Sequence, residues 1–256
     1  MTPIGLIGGT GLETLLESAE EKHRRTPYGV VDFYEGKLDE KTVIFVSRHG
    51  IGHTRPPHKV LYKANIWLLN KFGVERIVAL NAVGAINQGI NLGDLVVPHD
   101  FIDFTKSRPS TFYDTSPVTH VDMSVPYCPE IRNAIIKAAK QSERKAHEKA
   151  VMVCTEGPRF ETPSEITMFK KFGADVVGMT GVPEVSLARE LGMCYASLCF
   201  ASNRAAGMQK RLTTSEVLSL AKSSIPVFRQ VIPGAIDLIP VKRGCTCGRA
   251  LEGARI

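Results

Sequence analysis

A glycine-rich segment, Gly8-Gly9-Thr10-Gly11, directly follows the first apolar run of the chain at residues 3–8. Glycines at the end of a strand allow backbone N–H groups to approach an anion closely, and the Thr10 hydroxyl adds a further donor. A dinucleotide-binding fingerprint is the competing interpretation, since Asp32 lies at a suitable spacing to bind a ribose hydroxyl. That fingerprint requires Gly or Ala where this chain has Thr14, so phosphate or a similar anion is favoured over a nicotinamide cofactor.

Two further apolar runs are followed by residues that suit the same ligand. Arg48-His49-Gly50 comes after residues 42–47, and the planar Arg48 guanidinium can bind a phosphate or carboxylate through two parallel hydrogen bonds. Asn81-Ala82-Val83-Gly84-Ala85 comes after residues 76–80 and is expected to be a loop of small residues whose N–H groups face an anion. All three segments follow an apolar run and carry groups that can bind an anion, so they predict a single phosphate site between them.

Three later segments carry groups that suit a flat, polar ligand. Phe160 offers a ring that can stack on such a ligand, and Glu161 offers a carboxylate that accepts hydrogen bonds from it. Thr180 is expected at the start of the next helix, which is a favourable position for an anion. Asn203 follows the strand predicted at residues 193–200, and its amide can both donate to and accept from the edge of a heterocycle.

Neither the histidines nor the cysteines favour a metal site. His49, His53 and His58 lie in a loop rich in Gly and Pro, with no carboxylate or cysteine between them. Cys245 and Cys247 form a C-x-C pair near the C-terminus, and the sequence shows no two further ligands close to them. We expect this pair to remain as thiols or to form a strained local disulfide.

The elements between these segments predict one α/β domain at residues 1–241. Apolar runs rich in Val and Ile alternate with helical patterns such as residues 129–141, which is typical of a largely parallel sheet. Ligands of such sheets bind beyond the carboxyl ends of the strands, where the segments described above lie. The final helix is expected to begin near Thr214 and to be kinked or broken at Pro226 and Pro233.

Composition and charge are those of an ordinary folded protein. The 256-residue chain is 43% apolar and 23% charged, which excludes disorder, collagen and coiled coil. Half of the net charge of +6 lies in a basic C-terminal tail, residues 242–256, which is expected to be solvated, and nucleic-acid binding is not favoured. The least charged stretch, residues 77–93, is interrupted by polar residues and glycines, so no membrane span is expected. Six cysteines without a repeated spacing suit the reducing cytoplasm.

Five ordered segments resemble the trimeric purine nucleoside phosphorylase and methylthioadenosine phosphorylase family, and the resemblance covers about residues 3–240. They are Ile7-Gly8-Gly9-Thr10-Gly11, Arg48-His49-Gly50, Asn81-Ala82-Val83-Gly84, Glu156-Gly157-Pro158-Arg159-Phe160 and Met179-Thr180-x-Val182-Pro183-Glu184. The resemblance implies a single-domain three-layer α/β sandwich around a mixed, partly barrel-like sheet. It also implies assembly as a trimer or as a dimer of trimers. The overall pattern is closer to the methylthioadenosine branch.

The resemblance further implies roles for individual residues. Inorganic phosphate, as co-substrate, would be held by Thr10, Arg48, His49, Asn81, Ala82 and Thr180. The nucleoside would be bound by Met179 against the ribose, by Phe160, Glu161, Ser202, Asn203 and Ala205 around the purine, and by His53 and Thr214. His120 is implied to reach the neighbouring subunit's site near the 5′ group. Catalysis would rest on Asn203, Thr180 and His49, with no metal or organic cofactor.

Base specificity is suggested by departures from the adenosine-specific branch. That branch has Ser where this chain has Glu161, and Asp residues where this chain has Asn203 and Ala205. Hypoxanthine and guanine present an N1–H donor that a carboxylate accepts, whereas the unprotonated N1 of adenine would face the carboxylate lone pair to lone pair. These residues imply phosphorolysis of 6-oxopurine nucleosides such as inosine and guanosine. Because Thr214 suits a 5′-hydroxyl or a 5′-methylthio group and His120 favours the latter, 5′-methylthioinosine is a further candidate.

Three other functions remain open on the sequence. A methylthioadenosine phosphorylase would share the site and prefer a 6-amino base. A nucleoside hydrolase would act without phosphate. A purine-binding protein without enzymatic activity would release no sugar phosphate.

Overall fold

The computed structural model describes residues 2–9, 11–142, 144–209 and 214–256, with the backbone alone for residues 214–218, 220 and 221. Thr10 and the side chain of Thr214, both predicted to line the site, therefore lie outside what is described. The strands are β1 Ile4–Gly8, β2 Glu17–Thr26, β3 Gly29–Leu38, β4 Lys41–Ser47, β5 Arg76–Ala85, β6 Leu95–Val96, β7 Asp100–Phe104, β8 Ala146–His147, β9 Val151–Thr155, β10 Val176–Gly178 and β11 Cys194–Arg204. The helices are α1 Tyr62–Lys71, α2 Pro129–Gln141, α3 Pro163–Lys171, α4 Glu184–Glu190 and α5 Thr214–Leu238, and 3-10 helices lie at Leu12–Leu15, Pro57–Lys59 and Cys247–Arg249.

Within the described residues, eleven strands form one sheet with β5 at its centre. The main path runs β2-β3-β4-β1-β5-β10-β9-β7, while β11 pairs with β5 and β6, and β6 pairs with β8. Six strand pairs are parallel and four are antiparallel. Parallel pairs are therefore in the majority, as the alternation of elements predicted, and the four antiparallel pairs confirm the mixed sheet that the family resemblance implied. The described strands leave the sheet open rather than closed into a barrel.

Helices cover both faces of the sheet and produce three layers. α2 and α5 pack on each other and on β11 at one face, and α1 and α4 pack together at the other. Because successive strand side chains point to opposite faces, Leu6 and Phe45 lie in the core beneath α2 and α5. Their neighbours Ile7 and Ile44 lie in the core beneath α1 and α4. The continuous apolar runs of the sequence thus fill two cores at once.

Both strands that carry the predicted site amides are longer than the sequence suggested. β5 continues through residues 81–85, because β11 pairs with it as far as Arg204 opposite Ala85, and β10 pairs Val177 with Gly84. The predicted loop at residues 81–85 is therefore wrong, and so is the strand end predicted before Asn203. A register shift in β11 between Ala201 and Asn203 reorients the side chains there.

The remaining differences in secondary structure have local causes. The glycine segment is followed by the short 3-10 helix Leu12–Leu15, which leads into β2. The β2–β3 hairpin escaped prediction because β2 is mostly exposed and charged, without apolar alternation. α5 runs unbroken through Pro226 and Pro233, so the predicted break is wrong. Its buried side chains pack in the core beneath α2, which outweighs the roughly 3 kcal/mol that proline costs in a helix.

The basic C-terminal segment packs against the domain instead of extending into solvent. Cys247 and Ala254 are buried, and Arg243 donates hydrogen bonds to Gly192 O and Glu75 Oε1. Thr119 and Arg255 form an antiparallel bridge. The expectation of a solvated tail is therefore wrong for these contacts. Among the described helices, none has the length and apolarity needed to span a membrane.

Candidate active site

The central sheet is uncovered at Ala82. This side chain is exposed although it lies within β5, between the buried Asn81 and Val83, and opposite Phe200 of β11. An exposed position in the middle strand of a covered sheet requires an opening between the layers. Asn203 pairs with Gly84, two residues from Ala82, and Thr180 donates to the neighbouring Asn81, so these two predicted site residues lie close to the opening.

Arg48 is held next to this opening by a buried carboxylate. Its Nε donates to Glu184 Oε1 at 2.5 Å and its Nη2 to Glu184 Oε2 at 3.0 Å, while Nη1 donates to Leu80 O at 2.8 Å. Burial by itself would lower the pKa of Arg48, but the Glu184 carboxylate raises it, so the guanidinium stays charged. Tyr195 donates to Glu184 at 2.8 Å. Since these contacts use three of the five guanidinium N–H groups, two remain for an anion.

Glu184 is the last residue of the fifth family segment, and the sequence assigned it no role. In the structure it is the ion-pair partner of Arg48. Glu184 is fully buried at the start of α4 and accepts from Nε and Nη2 of Arg48. The two parallel hydrogen bonds that this edge of the guanidinium can make therefore go to Glu184 and not to phosphate. The same helix start corrects the placement of Thr180. Because α4 begins at Glu184, Thr180 precedes the helix and is not at its N-terminus.

Thr180 instead contacts the second predicted phosphate residue. Its hydroxyl donates to Asn81 Oδ1 at 2.9 Å, and Asn81 Nδ2 donates to Ser197 Oγ at 2.5 Å. Asn81 and Ser197 are buried, whereas Thr180 is half-buried. The chain of hydrogen bonds fixes the Thr180 side chain from behind, which suits a group that must orient an anion.

His49 is a neutral imidazole at neutral pH. Burial, together with the charge of Arg48, lowers its pKa to about 4. Its Nδ1 lies 2.8 Å from Arg55 O and must donate to that carbonyl, so Nε2 is left as an acceptor. His53 stacks on His49 with ring centroids 4.4 Å apart. The two predicted site histidines, His49 and His53, therefore lie together, and the exposed His53 ring covers the His49 ring.

The depressed pKa predicts a loss of stability in acid. His49 has a pKa of about 4 in the folded protein against an ordinary value of 6.5, so between these values the unfolded chain binds the extra proton. The free energy of unfolding should fall as the pH drops through this range, by up to about 3 kcal/mol from this residue. Urea titrations between pH 7 and 4 measure it, and His49→Gln should flatten the profile.

An unfolding free energy that depends on pH equally in the His49 variant and in the unmodified protein would contradict the assignment.

Glu161 is a buried carboxylate at the predicted purine side. Thr155 donates to its Oε1 at 2.6 Å. Burial raises the pKa of Glu161, although the Thr155 hydroxyl opposes the shift. The next residue, Thr162, is the N-cap of α3 and forms a capping box with Glu165, which fixes the backbone next to Glu161. The sequence Thr162-x-x-Glu165 is the signal that could have predicted α3.

Asn203 approaches β5 closely from β11. A Cβ at Gly84 would lie 3.0 Å from Asn203 Nδ2, so glycine leaves room for the amide. Its Oδ1 accepts from Ser202 Oγ at 2.7 Å and its Nδ2 donates to Arg204 O at 2.8 Å. One N–H and one lone pair of this amide remain available to a ligand.

The other predicted substrate residues occupy different positions. Phe160 and Met179 are half-buried near the site, and a Cβ at Gly157 would lie 2.8 Å from Met179 Sδ. Ala205 is buried in the core beside Val177, behind the site. His120 lies on an exposed loop, where its backbone N–H donates to Ala254 O.

Arg108 connects the loops around the site and was missed by the sequence interpretation. It is buried, and its guanidinium lies 5.0 Å from the Tyr62 ring. It donates to the carbonyl oxygens of Thr155, Glu156, Met179 and Val182 at 3.1, 2.7, 2.8 and 2.6 Å. No periodic pattern surrounds residue 108, so its role depends on contacts that only the folded chain brings together.

Arg108→Lys should reduce catalysis without unfolding the protein. A lysine ammonium has three donors at one point and does not reproduce the guanidinium fork, so the loops that carry Met179 and Glu161 lose their common anchor. We expect kcat/KM for nucleoside to fall by about 10- to 100-fold, as small misplacements of binding groups do. Steady-state kinetics measure this effect.

Arg132→Lys is the matched control, because Arg132 also donates to backbone carbonyls, those of Pro98 and Glu148, away from the site. Equal kcat/KM values for the two variants would show that Arg108 does not position the active site.

Comparisons with known proteins identify the family of this chain. Residues 3–236 match the model of the Phosphorylase superfamily. A probable S-methyl-5′-thioinosine phosphorylase of Methanopyrus kandleri is 50% identical, with each chain covered in full. The 6-oxopurine nucleoside phosphorylase of Pyrococcus furiosus is 48% identical over 99% of each chain. The crystal structure of a methylthioadenosine phosphorylase from an Antarctic soil metagenomic library superposes with a TM-score of 0.93 at 34% identity, covering 100% of this chain and 93% of that one. The chain therefore belongs to the phosphorylase superfamily, as the family resemblance predicted.

Proposed function

We propose that the protein catalyses phosphorolysis of 6-oxopurine nucleosides to the free base and ribose 1-phosphate. The observation that carries this proposal is the buried Glu161 carboxylate, which accepts from the Thr155 hydroxyl beside Gly178 at the end of β10. β10 pairs with β5 at Gly84, the residue against which the Asn203 amide packs. Glu161 would accept N1–H of hypoxanthine or guanine. The names of the Methanopyrus and Pyrococcus relatives, which both refer to 6-oxopurine substrates, support it.

Phosphate itself is the nucleophile in this proposal. One phosphate oxygen bonds to C1′ as the C1′–N9 bond breaks, and the electron pair of that bond goes to the purine, which then takes up a proton. Negative charge grows on the base, and the pre-oriented Asn203 amide stabilises it at N7. No metal or organic cofactor is needed for these steps.

The phosphate ligands have complementary tasks. Arg48 supplies charge and its two spare N–H groups, and Thr180 supplies a hydroxyl fixed by Asn81. Neutral His49 offers Nε2 as an acceptor and can bind the proton of a hydrogen phosphate ion. Thr10 and the backbone at Ala82 complete the set by family resemblance.

Assembly and location belong to the same proposal. His120 lies on an exposed loop, from which it would reach a neighbouring subunit's site in a trimer or dimer of trimers. No disulfide joins any two of the six cysteines, all of which the structure describes, and this suits the cytoplasm. Light scattering of the purified protein measures the subunit number.

The experiment is release of free base from inosine, 5′-methylthioinosine and 5′-methylthioadenosine, each with and without phosphate. Phosphate-dependent release from both inosine compounds, with methylthioadenosine inert, is the expected result, and their ratio reports the 5′ preference. Methylthioadenosine as the best substrate would overturn the base specificity but retain phosphorolysis. Release without phosphate would overturn phosphorolysis.

A further inference from the structure

Four cysteines from distant parts of the chain meet near the start of β11, at the opposite end of that strand from Asn203. The Sγ atoms of Cys128, Cys194, Cys245 and Cys247 all lie within 4.8 Å of one another. Cys194 and Cys245 Sγ are 3.4 Å apart. The sequence showed no further ligand near the C-x-C pair, and that expectation is wrong because the fold brings Cys128 and Cys194 to it.

We propose that these four thiolates bind one Zn²⁺ ion in a tetrahedral site. At a Zn–S distance of about 2.3 Å, the sulfur atoms of a tetrahedron are about 3.8 Å apart, which is the spacing this cluster has to within about 1 Å. Four sulfur ligands with tetrahedral spacing select zinc over the oxygen-preferring ions. The C-x-C pair contributes two ligands from one turn of chain, and the other two come from the start of α2 and from β11.

The backbone around the cluster holds the sulfurs in place. Cys128 is the N-cap residue of α2, so the start of this helix fixes its position. Its backbone N–H donates to Tyr195 O at 2.8 Å, which ties the start of α2 to the residue after Cys194. Cys128, Cys194 and Cys247 are buried, and Cys245 is partly exposed and gives an ion a route of entry.

A buried cation supports the charge that the site would carry. Four thiolates and one divalent ion leave two negative charges. The Arg189 guanidinium is buried and its Nη1 donates to Cys247 Sγ at 3.4 Å, which offsets part of that charge and orients the sulfur. Such outer contacts are typical of bound metal ligands.

The ion would fasten the C-terminal segment to the domain. Beyond Cys247 this segment holds the loop of residues 118–120, because His120 N donates to Ala254 O at 2.8 Å and Ile256 N to Val118 O at 3.0 Å. The metal would therefore act as a structural ion, remote from the reacting atoms, that keeps the His120 loop in position.

The experiment measures the metal content of the full-length protein purified with a reductant and without chelator. We expect inductively coupled plasma mass spectrometry to find one zinc ion per chain. Cys247→Ala should lower the zinc content to near zero, while Cys199→Ala, which removes a buried cysteine outside the cluster, should retain it. Cys245→Ser, at the partly exposed position, serves if Cys247→Ala does not fold.

Two further measurements decide between the outcomes. Protein stripped of metal and refilled with Co²⁺ should show the thiolate-to-cobalt charge-transfer absorption of a tetrahedral sulfur site, and metal removal should speed hydrogen exchange at residues 118–120 and 242–256. Absence of zinc together with no cobalt spectrum after refilling would overturn the proposal. Disulfides within the cluster would also overturn the zinc proposal. They would appear, in protein kept free of added oxidant, as an intact mass lower than that of the fully reduced chain by two hydrogens for each disulfide.

Discussion

Asn203→Asp is expected to lower kcat/KM for inosine by about 100- to 1,000-fold, the usual effect of removing one pre-oriented donor from the transition state. The Asn203 amide approaches β5 over Gly84 and is oriented by Ser202 Oγ and Arg204 O, so its remaining N–H is aimed before substrate arrives. An aspartate keeps the shape but donates nothing, and its charge opposes the negative charge that grows on the leaving purine. Steady-state kinetics with inosine and phosphate measure the loss.

The same substitution should change base preference when it is combined with Glu161→Ser. The double variant has the residues of the adenosine-specific branch at both positions, so the ratio of methylthioadenosine to inosine activity should rise. Asn133→Asp, on the exposed face of α2, makes the same chemical change away from the site and should leave both activities unchanged. Full inosine activity in Asn203→Asp would contradict the proposed stabilisation of the leaving base.

Glu184→Gln is expected to reduce the free energy of unfolding by about 3–5 kcal/mol, because it leaves the Arg48 charge buried without its partner. The Arg48 and Glu184 side chains are 2% and 0% exposed, so solvent cannot replace the lost carboxylate. Glutamine keeps one acceptor oxygen, but its NH₂ group would face one of the two Arg48 N–H groups that the carboxylate now accepts from. Activity should fall with stability, since Arg48 would no longer be held at the phosphate position. Urea unfolding measures the effect.

Two companion variants make this prediction specific. Glu148→Gln removes one partner of the exposed Lys140–Glu148 ion pair, which should cost less than about 1 kcal/mol. Tyr195→Phe removes the hydroxyl that donates to Glu184 and should cost about 1 kcal/mol while the ion pair remains. If Glu184→Gln is no less stable than Glu148→Gln, the buried Arg48–Glu184 pair does not contribute to stability as predicted.

Residue chemistry at this site was readable from the sequence because it depends on side-chain type and on local order along the chain. The donor and acceptor groups of Glu161 and Asn203 indicate a 6-oxopurine without any coordinates, and the five ordered segments indicate the family, which the comparisons confirm. The alternation of apolar runs and helical patterns likewise predicted an α/β domain. Local sequence patterns predict the fold class because neighbouring residues largely determine whether a segment forms a turn, a strand or a helix.

The tertiary structure decided which distant residues support those groups. Arg48 meets Glu184 across 136 positions, Arg108 joins loops 47 to 74 residues away, and Cys128 and Cys194 lie beside the C-x-C pair. No spacing along the chain encodes such contacts, because they follow from how the strands pair in one sheet. The lengths of β5 and β11 have the same origin, since residues that look like loops become strand when a partner completes their hydrogen bonds. The sequence therefore determined the chemistry available to this protein, while long-range pairing and burial determined which charges are neutralised and which donors are oriented.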